Sequence, residues 1–239
     1  MIRTLKALSA LLTYPGEELQ EAVPAIRQAL LEEGLLTPAR IDALQPLLGE
    51  IADWDLYDLQ ERFVLLFDRS RSLSLNLFEH IHGESRDRGG AMLDLLETYR
   101  AAGFEPVGPE LPDHLPLLLE FLANRPLAEA CDMLADASHI LTVLAERLTR
   151  RESGYAVIFH ALADLAAAPA AVDLVAALSA QPDDDPEDLA ALDAVWEEAM
   201  VTFGPDPNAG CPASREMLAR METTGGNSAW TEPASGGGS

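Results

Sequence analysis

Apolar residues recur at i, i+3, i+4 and i+7 along nearly the whole chain, and this spacing restricts it to packed amphipathic helices. Ile2, Leu5, Leu8 and Leu12 form the first stripe, closed by "YPG". Leu19, Val23, Ile26 and Leu30 form the second, ending near Gly34. Pro24 must start or kink that helix, because its ring removes a backbone donor. Thr37-Pro38 reads as an N-cap followed by proline at the first helical position, opening a short helix through Ile41 and Leu44. Leu56, Leu59, Phe63, Leu66 and Phe67 mark a helix that ends at "DRSRS". Helices are expected again over 85–102 and 112–123. Leu127, Leu134, Leu141 and Leu148 repeat every seven residues, with Cys131 on the same stripe as core, which predicts one long helix. Further helices follow over 155–167 and 171–179. Beyond the acidic "QPDDDPED", Leu189, Leu192, Trp196, Ala199 and Phe203 form a last stripe.

The run "SLSLNL" at 72–77 alternates as a strand does, yet no other segment alternates to pair with it. A lone strand leaves its backbone unsatisfied, so a short helix or an extended connection is expected. The fold class is all-α, a single bundle of roughly ten helices. A helical domain is expected over 1–203, followed by a flexible tail over 204–239 that contains Cys211 and ends in glycine and serine.

A formal charge of -24 over 239 residues speaks against a nucleic-acid partner, since phosphates need a basic face. It favours basic ligands, cationic peptide segments among them, with an attraction that weakens in salt. Two cysteines provide no disulfide framework and no Cys-x-x-Cys pair, which fits a reducing compartment. No segment approaches the roughly 20 apolar residues of a membrane span. A cytoplasmic protein is expected.

One stretch departs from this pattern. "FEHIHGESRDRGGAM", 78–92, gathers two histidines, two arginines and three carboxylates around glycines. As a metal site it lacks diagnostic spacing: His80 and His82 stand at i, i+2, which does not fit one helical face, and no further ligand follows at a suitable interval. Ser85, His82 and Asp87 can be written as a triad, but triads assemble from distant segments. The third alternative is a docking surface with internal ion pairs. Ser85 can cap the next helix and Asp87 suits its positive end, whereas Arg86 and Arg88 oppose the dipole unless an acid such as Glu84 compensates. Gly89 and Gly90 cost about 1 kcal/mol each in a helix and permit close approach of another backbone. A buried salt-bridge network remains an equally physical reading. In "LPDHLPLLLEF" a helix is expected from Pro112, with Asp113 and Glu120 on one face and Leu115, Leu118, Leu119 and Leu122 opposite.

Three segments together, "LSALLTYPGEEL", "ERFVLLFDRSRSLSLNLFEHIHGESRDRGGAMLDLLETYRAAGF" and "LPDHLPLLLEFLA", resemble the nitrate reductase delta subunit family, within the TorD/DmsD-like redox-enzyme maturation chaperones. The likeness covers roughly residues 1–203 and is most specific over 62–122. It implies an all-helical cytoplasmic chaperone, not an enzyme, with no stably bound cofactor. Such a protein binds the N-terminal segment of the apo nitrate reductase catalytic (alpha) subunit. It holds that subunit ready for insertion of the molybdenum bis-guanine-dinucleotide cofactor and restrains membrane docking. The family's histidine-rich motif maps onto 78–88 and its Asp-His motif onto Asp113-His114. On that footing Glu79, Asp113 and Glu120 are expected to supply negative potential to a client peptide, and Phe78, Leu117 and Phe121 apolar contact. His80, His82 and His114 would titrate near neutrality. Glu84, Ser85, Arg86, Asp87, Arg88, Gly89 and Gly90 would organise the site. A monomer is favoured. The rival readings are a metal-dependent hydrolase using His80 and His82, and a generic helical adaptor.

Overall fold

Leu5, Leu8 and Leu11 lie buried on one face of the first helix, α1 (Arg3–Leu11), as the opening stripe requires. The structure is a computed structural model, and it describes residues 1–82 and 86–183. These residues contain eleven α-helices and no named strand. α2 (Glu17–Glu33) and α3 (Pro38–Asp53) pack against each other, and α2 also packs against α1. Pro24 lies inside α2 on its exposed side, where solvent replaces the N–H that proline lacks. Gly34 closes α2 in the left-handed region, φ 64°, a conformation that a Cβ disfavours. Thr37 does cap α3, accepting from the Arg40 N–H at 3.3 Å. That helix is longer than its first stripe predicts, because Leu47, Leu48 and Ile51 continue the buried face past Pro46. Gln20 closes its far end, donating from Nε2 to the carbonyls of Ile51 and Trp54, each at 3.0 Å.

α4 (Leu56–Phe63) runs on into a π-helical turn, Val64–Asp68. Through that turn Phe63 and Phe67 both face the core: their centroids lie 5.0 Å apart, and Phe67 meets Tyr155 at 5.2 Å. Of the "SLSLNL" segment, Ser72 and Leu73 lie in a short 3-10 turn, Arg71–Leu73, and Leu77 opens the next helix; only 74–76 form a connection between them, with one isolated antiparallel bridge, Asn76 with His114. The short helix or extended connection expected there is what forms, and Ser72 to Leu75 are all buried, so the alternation does not sort the side chains between two faces. α5 (Leu77–His82) and α6 (Arg86–Ala101) follow. α7 begins at Leu115, three residues later than expected, because Asp113 and His114 serve the bridge and a turn; it spans Leu115–Ala123 and packs on α1.

The heptad-spaced leucines do not form one helix. α8 (Leu127–Asp136) and α9 (Ser138–Arg150) meet at Ala137, where the Ser138 hydroxyl donates to the Ala135 carbonyl at 2.7 Å. Leu134, Leu141 and Leu148 are buried nonetheless, whereas Leu127 is 43% exposed, so the leucine spacing marks neither helix continuity nor burial at every position. Cys131 is half-buried, at the edge of the core. α10 (Ala156–Leu165) packs on α9 and α3, and α11 (Val172–Ser179) packs on α9. The expected helix over 189–203, the domain limit at 203/204, the tail and Cys211 lie outside the described residues.

α6 buries Tyr99, whereas Gly89 and Gly90 are exposed. The close backbone approach expected at those glycines is not there: among the described residues a Cβ at either position meets nothing within 4 Å. Alanine at 89 or 90 should therefore stabilise the chain by up to about 1 kcal/mol each, by restricting the unfolded backbone. Urea melts of the two variants check this.

Candidate functional site

The polar motifs converge on a junction between 74–78 and 111–115. Leu77 N–H donates to the Asp113 carbonyl at 3.1 Å and Leu115 N–H to that of Leu75 at 2.8 Å. Asp113 Oδ2 accepts from the Phe78 N–H at 3.0 Å, so a carboxylate from a distant segment caps the start of α5. Arg88 stands 4.0 Å from the same oxygen and donates to Glu79 at 3.1 Å, tying α6 to α5. Asp113 is fully buried. Loss of solvation pushes its carboxyl above the usual range, against the pull of the Phe78 N–H and Arg88. Tyr99, also buried, donates to the Pro112 carbonyl at 2.7 Å and packs on Phe121 with centroids 4.6 Å apart. Burial raises its phenol, and the charge of Asp113 adds to the rise.

Around this junction the expected client-binding residues divide. His80 is buried, and its Nε2 donates to the Ser74 carbonyl at 2.8 Å, which fixes the neutral tautomer. Phe121 is 1% exposed and belongs to an aromatic cluster with Tyr99 and Phe104. Phe78 is half-buried and meets the His82 ring edge-on at 5.8 Å. Glu79 and His80 line a cavity of about 610 Å³ together with Arg88 and Arg147. His114, Leu117 and Glu120 line a separate groove of about 230 Å³, which Tyr14, Val107 and Glu110 complete.

Asp113 and Glu120 do not share a helical face, since Asp113 precedes α7 and points inward, whereas Glu120 pairs with Lys6 at the surface. Asp87 is exposed. Glu84 and Ser85 lie outside the described residues, and for Arg86 the backbone alone is described, at the start of α6. His80 and His82 sit on one short helix, but one ring is committed to the interior and the other to Phe78. Among the described residues no three His, Cys, Asp or Glu side chains gather as a metal site would require.

Burial lowers the pKa of both His80 and His114; for His114 the neighbouring Glu110, Asp113 and Asp68 charges pull the other way. A histidine held below its unfolded value of 6.5 contributes stability that is complete above pH 6.5 and is lost as pH falls through the folded value. Gln in place of His80 keeps a donor for Ser74 but cannot titrate. Between pH 7 and 5 the melting temperature of His80→Gln should consequently rise relative to wild type, as read from paired thermal melts.

The profile of the family described as nitrate reductase delta subunit matches residues 15–161. The chain belongs to the nitrate reductase delta subunit family. It is 44% identical over 208 residues to the nitrate reductase molybdenum cofactor assembly chaperone NarJ of Escherichia coli K12, covering 86% of this chain and 87% of that one. It is 38% identical over 216 residues to the probable nitrate reductase molybdenum cofactor assembly chaperone NarW of the same organism, covering 89% of each. A crystal structure of a putative redox enzyme maturation protein from Archaeoglobus fulgidus shares the fold, with TM-score 0.51 and 22% identity over 69% of this chain and 92% of that one.

For this delta-subunit family member, sequence reasoning missed Tyr14, Val107 and Glu110 as groove residues. Tyr14 stood inside a motif that carried the family likeness, but it read as the end of a helix. Val107 is 96% exposed in a connecting loop, and nothing in a one-dimensional pattern distinguishes it from a buried valine.

Proposed function

We propose that this chain is an assembly chaperone for nitrate reductase and not an enzyme. It binds the N-terminal segment of the apo catalytic (alpha) subunit and keeps it open to molybdenum bis-guanine-dinucleotide insertion before the complex docks at the membrane. The carrying observation is the groove beside α7. Tyr14, Val107 and Leu117 offer apolar surface, and Glu110 adds negative charge, with Glu120 paired to Lys6 at the rim. An amphipathic, partly basic segment fits such a groove as a helix, with apolar anchors at i, i+3 and i+4. The chain's charge of -24 would steer it in.

The Escherichia coli relatives, molybdenum cofactor assembly chaperones by name, support the cofactor-assembly part of this reading. In this proposal the chaperone works as a cytoplasmic monomer; among the described residues no helix is long and apolar enough to cross a membrane. His80, Asp113 and Phe121 act in this proposal as positioning residues: they hold the junction that presents His114 and Leu117 at the groove. Phe78, Glu79 and His82, half-buried on α5, border the junction on its other side and bear on a longer client. The test is calorimetric titration of a synthetic peptide of the alpha subunit's first residues into the intact chain. Saturable binding at one peptide per chain supports the proposal, and a flat titration rejects it.

A further inference from the structure

Tyr14 lines the groove beside α7 and also a second hollow of about 280 Å³, so the two adjoin at one side chain. The hollow runs along α4 and the π-helical turn that continues it. Val64 and Leu65 give it apolar surface, Tyr14 and Tyr57 aromatic rings, and Glu61 and Arg69 its charges. Tyr57, Glu61 and Leu65 stand at i, i+4 and i+8, one row along a helix. Phe63, Leu66 and Phe67 turn into the core, whereas Val64 and Leu65 stay half-buried at the surface. Such π-turns inside helices recur at functional sites.

Tyr14 is held against this face from the α1–α2 connection. Its ring meets Phe63 edge-on at 5.9 Å, and Gln60 Nε2 donates to the adjoining Pro15 carbonyl at 2.9 Å. Tyr14 is 55% and Tyr57 81% exposed, so both rings are open to a ligand. Among the described residues the Glu61 side chain has no ion-pair partner, while its neighbour Arg62 is taken by Glu50 at 2.7 Å. Arg69 stands eight residues beyond Glu61, roughly 10–12 Å along a helix axis. An open carboxylate beside two tyrosine faces suits a compact ammonium, which donates to the one and lies against the others.

We infer that this hollow captures the α-ammonium of the client peptide's first residue on Glu61, between Tyr14 and Tyr57. The first side chain then rests on Val64 and Leu65, and the following turns lie in the groove beyond Tyr14. This inference rests on the client reading of that groove. An N-terminal segment carries such a cation whatever its sequence, and capture of a terminal amine is a recurrent mode of peptide recognition. Arg69 opposes the ammonium and takes no part in holding it.

The experiment titrates the alpha subunit's N-terminal peptide, with a free or an acetylated amine, into the full chain at about pH 6.5, where an α-ammonium is protonated. Wild type should bind the free peptide at least fivefold more tightly than the acetylated one. Acetylation removes a charge that opposes the peptide's own helix dipole, so an effect on peptide helicity alone would run the other way. Glu61→Gln, at an exposed position, should bind the free peptide at least fivefold more weakly and bring the two peptides within twofold of each other. Arg69→Gln should bind the free peptide at least as tightly as wild type. Thermal melts of both variants verify folding. Equal, saturable binding of the two peptides to wild type overturns the ammonium site and leaves the groove standing. A difference that persists in Glu61→Gln reflects only the chain's net charge and overturns the site, as does weaker binding to Arg69→Gln. A flat titration with both peptides overturns the groove and this site together.

Discussion

Asp113→Ala is expected to lose about 2–4 kcal/mol of folding stability, while Asp113→Asn stays within about 1 kcal/mol of wild type. The alanine leaves the Phe78 N–H, at a half-buried residue, without its acceptor and removes the fully buried carboxylate that faces Arg88. A buried donor left unpaired carries its whole desolvation cost. Asparagine keeps an oxygen for Phe78 and gives up a charge that burial already disfavours. The second carboxylate oxygen, Oδ1, has no hydrogen-bond partner among the described residues, so the extra amide displaces no bond found there. Urea unfolding of both variants separates the two roles. If Asn proves as damaging as Ala, the charge toward Arg88, and not the acceptor at the start of α5, holds the junction.

Arg147→Ala should cost still more, about 3–5 kcal/mol. The side chain is almost wholly buried, and its fork joins α9 to the carbonyls of Ser72 and Leu178. Truncation opens a cavity the size of a guanidinium and leaves both carbonyls without that donor. Arg147→Lys retains a charge but replaces a planar fork by a single ammonium, and should recover less than half the loss. A small loss in Arg147→Ala, under about 1 kcal/mol, would mean that 70–74 and α11 are held by their apolar contacts instead.

These two residues also mark the limit of what the sequence made legible. The helical class, the buried stripes of α1 and α2, the Thr37 cap and the Gly34 stop follow from local chemistry, because each signal and its consequence lie within one or two turns of helix. The junction does not follow from it. Asp113 looked like the start of its own helix, whereas its partner is Phe78, 35 residues earlier, and no local rule names that pairing. The leucines of α8 and α9 share one spacing across a break, since Ala137 carries none of the glycine or proline that usually marks a stop. Arg147 carries no local signal of its burial either, which emerges only once α11 packs on α9 and the Leu178 carbonyl accepts from it.

The candidate site was legible in its parts and not in its grouping. The two motifs singled out by their chemistry do meet, as the Asn76–His114 bridge and the Asp113–Phe78 hydrogen bond show. They meet back to back, however, with an arginine-lined cavity on one side and the acidic, partly apolar groove on the other. Residues that shared one label in the sequence thus divide between positioning the junction and lining a surface.

The central claim is that the groove beside Leu117 receives the N-terminal segment of the nitrate reductase alpha subunit. Calorimetric titration of that peptide into wild type and Leu117→Asp, each at low and high salt, tests it most directly. Leu117 is half-buried at the groove, so the variant should fold, and its thermal melt verifies that. The account predicts one peptide per chain for wild type, affinity that declines as salt rises, and at least tenfold weaker binding to Leu117→Asp. Equal affinity for the two folded proteins would contradict it.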